Sequence, residues 1–117
     1  MNQLERFKEI IATYSRHGWR LQRVLMLPET RAEATAYTAT PEEMFGGVAI
    51  EEASVDALWF ARPSHAGREA WELRHVAESP YALFETFESE ASEEDREEVR
   101  REMLARLSER LAVSRKS

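Results

Sequence analysis

Residues 54–77, SVDALWFARPSHAGREAWELRHVA, decide the fold. In the first third, Val55, Ala57, Trp59 and Ala61 alternate with Asp56, Leu58, Phe60 and Arg62. Both parities are largely apolar, which predicts a central strand covered on both faces. Pro63 to Gly67 is a turn by composition. From Arg68 the alternation resumes, with Trp71, Leu73 and His75 on one side and Glu72, Arg74 and Val76 on the other. Two such strands around a short polar loop predict a β-hairpin.

Upstream, Trp19 to Leu27 (WRLQRVLML) predicts a third strand, running from a solvated rim into the sheet and ended by Pro28. Before it, Leu4, Phe7, Ile10, Ile11 and Tyr14 recur at helical spacing, and Gly18 stands where a helix C-cap belongs. Residues 28–39 (PETRAEATAYTA) lack clear periodicity and carry three threonines, so they are read as a loop. Thr40, Pro41 and Glu43 predict a short capped helix, stopped by Gly46 and Gly47; residues 48–50 are read as a brief strand or an entry into the next.

Downstream, Ser79 and Pro80 suggest a cap and first-turn proline, predicting a helix with Tyr81, Leu83, Phe84 and Phe87 on its apolar side. Ser92 caps a last helix, with Glu93, Glu94 and Asp95 in its first turn. Val99, Met103, Leu107 and Leu111 form its apolar stripe. The expected architecture is α+β: a small, mostly antiparallel three-stranded sheet packed with the N-terminal and C-terminal helices. One domain over 1–113 and a frayed tail over 114–117 are expected, with a tryptophan anchoring each main strand.

The 117 residues suffice for one hydrophobic core, and 43% apolar with 32% charged residues argues against general disorder. No cysteine is present, which excludes disulfides, thiol catalysis and thiolate metal sites. The first residues, MNQLERFKEIIATY, have acids where an export signal needs a basic start and an apolar block, and no run is long enough to span a bilayer. A cytoplasmic protein is therefore expected. The net charge of −6 is uneven: 88–102 carries −5 and the last fifteen residues +3. That balance and the lack of a basic run with aromatics disfavour nucleic acid.

His17, His65 and His75 have no compact metal-ligand spacing, so neither a metal nor another cofactor is expected. No nucleophile elbow, dinucleotide fingerprint or phosphate loop occurs. Glu72 and His75 fall on opposite strand faces, whereas Asp56 and Glu72 on neighbouring strands are drawn as a carboxylate pair, or Asp56 with Arg74 as an ion pair.

Two features remain. Arg62, His65 and Arg68 around the hairpin turn, joined by Arg74 or Arg31, form a candidate contact for an anion or an acidic partner. The stripe of Val99, Met103, Leu107 and Leu111 serves either the core or an interface with a partner protein or a second copy. The leading expectation is a non-enzymatic protein-interaction domain, an adaptor, regulator or inhibitory partner, using the hairpin and C-terminal helix. The competing reading is a small enzyme or carrier holding an anionic small molecule in an arginine-lined cleft.

Overall fold

The computed structural model describes residues 2–116, with side chains described through residue 112. Ten elements follow one another: α1 (Gln3–Arg16), β1 (Arg20–Met26), α2 (Pro28–Tyr37), a 3-10 turn (Pro41–Phe45), β2 (Ile50–Glu52), β3 (Ala57–Pro63), a tight turn (His65–Gly67), β4 (Glu69–His75), β5 (Ala82–Phe87) and α3 (Glu93–Lys116). The strands form one mixed sheet in the order β2-β1-β3-β4-β5, with β1 and β2 parallel and every other pair antiparallel. The class is α+β, but the sheet has five strands rather than the expected three.

The hairpin forms as its alternation predicts, with Ala57 opposite His75 and Pro63 opposite Glu69. Being central, it buries both faces. Leu58 and Phe60 join Phe7, Ile10, Val24 and Met26 in a core under α1 and α2. Ala57, Trp59, Trp71 and Leu73 join Met103 and Leu107 in a second core under α3. At the hairpin turn Ala66 takes a positive φ of 56°, followed by Gly67 at 74°. Gly18 at 83° ends α1 as expected.

Two sequence-based expectations are corrected. Residues 28–37 are a helix, not a loop. Its entry is secured from 29 residues away: the buried Asp56 accepts from the Leu27 N–H at 2.8 Å and the Thr30 hydroxyl at 2.7 Å, and also from the Gln3 amide at 2.9 Å. A cap supplied by a distant carboxylate leaves no local signature. Of its residues only Thr30 and Ala34 are buried, which explains the weak periodicity. Residues 82–87 are a strand, not a helix. Tyr81, Leu83 and Phe87 face α3 at a period of two, while Phe84 points to the other side. β4 offers its open edge to this segment, and the six-residue ladder from Glu69–Phe87 to Arg74–Ala82 wins over the local proline signal.

The short helix expected after Thr40 is a single 3-10 turn, in which Thr40 bonds the Glu43 carboxylate rather than capping an N–H with its side chain. Ser92 does cap α3, its Oγ accepting from the Asp95 N–H at 3.1 Å. The tail expected at 114–117 falls on helical backbone as far as Lys116, and Ser117 lies outside the described residues. No described helix is long and apolar enough to cross a membrane.

Candidate functional site

The four cationic residues singled out in the sequence separate. Arg62 and His65 stay together at the turn end of the hairpin, where they line a cavity of about 410 Å³ with His17 and Phe84. The Arg62 guanidinium lies 4.4 Å over the Trp19 ring and donates to the His17 carbonyl at 3.1 Å. Trp19 in turn meets Phe84 edge-on at 6.3 Å. Arg68 is drawn off by Glu88, 3.1 Å away. Arg74 sits toward the far end of the hairpin, opposite Leu58, and bonds the His75 carbonyl in a groove it shares with Tyr14 and Arg6. Arg31 serves the fold, bonding the Ile50 carbonyl at 3.1 Å and lying 3.6 Å from Glu42. An arginine cleft holding Arg62, Arg68 and Arg74 together is therefore not formed.

The apolar stripe of α3 packs within the chain. Met103 and Leu107 are fully buried under the helix, and Val99 and Leu111 pack partly buried against the same core. The surface proposed for another chain is thus occupied by the protein's own sheet. Four-residue spacing alone carries no information about which surface is met, so the sequence left both assignments open.

Beside the stripe, charges pack on aromatics. Arg100 is 2% exposed, lies 4.4 Å over the Trp71 ring, and bonds both Glu93 and Glu97. Arg23 holds Glu97 with two bonds of 3.0 Å each. These hydrogen bonds keep the Glu97 carboxyl at about 2, led by the bond from Arg23 and opposed by partial burial. A depressed carboxyl stabilises the fold at pH values above its unfolded value near 4.5, and that stability disappears as pH falls toward 2. Glu97→Gln is expected to flatten the urea midpoint between pH 5 and pH 2 relative to the parent, measured by circular dichroism. An unchanged slope would remove Glu97 from the acid response.

The carboxylates proposed as an acid–base pair part company. Glu72 accepts from the Tyr14 hydroxyl on the α1 side, and burial followed by that carboxylate raises the Tyr14 pKa well above the ordinary phenol value. Asp56 lies four positions farther along the neighbouring strand, opposite Val76, tied to Gln3, Leu27 and Thr30. It also does not pair with Arg74, which faces Tyr14 instead. Burial, then Arg74, lowers the His75 pKa and favours its neutral form. Among the described residues no group of three or more His, Asp or Glu is placed to hold a metal ion.

What the sequence did not point to is the edge strand beside the Arg62 corner. The Tyr81 carbonyl accepts from the His75 N–H at 2.9 Å, and this sets the phase of the β4–β5 ladder. In that phase the backbone groups of Leu83, Glu85 and Phe87 face β4, while those of Ala82, Phe84 and Thr86 face outward. One outward donor, the Thr86 N–H, meets its neighbour Glu85's carboxylate at 3.3 Å. Phe84 on this strand is 54% exposed. The opposite edge is different: β2 has three residues, two of them exposed glutamates. Short length and charge guard that edge, whereas β5 is a regular six-residue edge without lysine, proline or bulge. The alternation of Leu83 and Glu85 with Phe84 and Thr86 was the signal available in sequence, masked by Pro80.

Fold and site define an α+β protein with a two-sided core, one guarded sheet edge and one open edge flanked by an aromatic–arginine corner. Comparison of the chain with family models, curated proteins and solved structures found no match.

Proposed function

We propose that this chain is a non-enzymatic protein-interaction domain, an adaptor, regulator or inhibitory partner, that takes an extended strand of its partner onto the β5 edge. The observation that carries the reading is the unguarded β5 edge, with Phe84 exposed beside Arg62 and His65. Strand addition supplies affinity through main-chain bonds and selectivity through the side chains that alternate along the strand. The hairpin and α3 act as the rigid platform behind this edge. Phe84 receives an apolar side chain, and Arg62 with His65 receives an acidic one. We place this activity in the cytoplasm.

A second copy supplies the strand and the apolar side chain, but its β5 brings no acidic residue to the Phe84 face. Two β5 strands paired antiparallel about Phe84 set Ala82 opposite Thr86 and Leu83 opposite Glu85, so no carboxylate faces another across the ladder.

Thr86→Pro tests the reading, because the Thr86 N–H faces away from β4 and its loss leaves the internal ladder intact. Native mass spectrometry on protein recovered from its own host is expected to show a partner or a doubled mass for the parent. The proline variant should lose at least about tenfold in affinity, equivalent to about 1.4 kcal/mol. In the complex the amides of Ala82, Phe84 and Thr86 should exchange more slowly. A partner retained by Thr86→Pro, or protection confined to another surface, would overturn the proposal.

A further inference from the structure

A groove on the α1 side of the sheet, separate from the β5 edge backbone, combines apolar walls with one sign of charge. Its α1 wall carries Lys8, Ile11, Ala12 and Ser15, a stripe with helical spacings of three and four. Leu21 of β1 and Phe60 of β3 contribute from the sheet, and Met44 from the 3-10 turn closes the other side. The cavity measures about 520 Å³, within the range of sites that enclose small organic molecules. Gly46 at its margin has a φ of 69° and no heavy atom within 4 Å of where a Cβ would stand.

The charges lining this groove are Lys8 and Arg20, with no carboxylate among the lining residues. Both are exposed, and among the described residues neither belongs to a salt bridge. Lys8 is instead 5.8 Å from the ring of Tyr37, itself 74% exposed. In a chain of net charge −6, a groove whose charged lining is wholly cationic selects against cations and accepts anions. The side chains between them offer no comparable set of polar partners for a sugar or a nucleotide.

From the apolar walls and the two lining cations we infer that this groove binds an amphiphilic carboxylate, a small molecule with an apolar body and a single anionic head. The body lies against Ile11, Leu21, Met44 and Phe60, and the head is held by Lys8 or Arg20 at the rim. Burial of the body supplies affinity, and the cations discriminate by charge.

The experiment uses the full chain with decanoate, decanol and decylammonium as probes, below the concentrations at which they aggregate. Amide NMR signals of Ala12 and Gly46 report on the groove. Decanoate is expected to shift these signals saturably, with decanol binding at least about tenfold more weakly and decylammonium weaker still. The double variant Lys8→Glu, Arg20→Glu changes two exposed side chains, so its fold is checked by the unchanged spectrum of the α3-side core. It should lose about tenfold in decanoate affinity while holding decanol as the parent does. No saturable shift, equal affinity for decanoate and decanol, or shifts centred on another surface would each overturn the inference. Binding at the β5 edge is read separately from the amides of Ala82, Phe84 and Thr86, so failure here leaves that test untouched.

Discussion

Leu107→Asp is expected to unfold this chain. Leu107 is fully buried between α3 and the sheet, in one core with Met103, Trp59, Trp71 and Leu73. Removing a buried leucine costs about 2–5 kcal/mol, and placing a carboxylate in the same apolar site adds several more. Typical domain stability is only about 5–15 kcal/mol, so the sum reaches the whole of it. The carboxylate would escape only by protonation or by lifting α3 off the sheet, and lifting ends the packing of Met103 against Trp59, Trp71 and Leu73. Near-ultraviolet circular dichroism and a urea titration provide the readout. Ala105→Asp, on the exposed side of the same helix, is the control and should change stability by no more than about 1 kcal/mol. A folded, monomeric Leu107→Asp variant with the parent's midpoint would show that the stripe does not belong to the core.

The second large effect is expected at Asp56. This carboxylate is 5% exposed and joins three segments: the Gln3 amide of α1, the Leu27 N–H before α2, and the Thr30 hydroxyl within α2. Asp56→Ala strands the Leu27 and Thr30 donors, at about 1–3 kcal/mol each before relaxation, while the Gln3 amide keeps the Val76 carbonyl at 2.9 Å. A loss of about 3–4 kcal/mol follows when water and side-chain movement recover part of that cost. Asp56→Asn keeps one acceptor oxygen and should lose less. Hydrogen exchange distinguishes the cap from a general effect, because α2 amides should lose protection before those of β3 and β4. Uniform loss across the sheet, with α2 no worse than the rest, would reject the cap.

The comparison of these two residues explains how far the sequence could be read. Leu107 lies on a stripe visible in the sequence, and burial was one of its two assignments. Asp56 was visible only as a carboxylate on a hairpin strand. Its role depends on Leu27 and Thr30, which arrive from a different part of the chain. The same holds at the candidate site. Arg62 and His65 lie three positions apart and stay together, but Arg68 turns to Glu88 and Arg74 to the opposite end of the hairpin. Proximity along a turn does not establish convergence in space. Phe84, the exposed residue at the centre of the proposed contact, reads as helical in the sequence because a serine–proline start and a short apolar run suit either conformation.

By itself the amino-acid sequence determined α1, β1, the β3–β4 hairpin, the capped start of α3 and the absence of thiol chemistry. In these segments the hydrophobic period, turn residues and side-chain caps act within a few positions of one another. Tertiary structure alone decided α2, the strand conformation of β5 and the five-stranded order, because their stabilising partners are distant: Asp56 for α2 and the open edge of β4 for β5. It also decided which arginines are engaged and which edge is left open. The physical reason is that local propensities differ by a fraction of a kcal/mol per residue, whereas a buried cap or a shared strand edge contributes more than that difference in one contact.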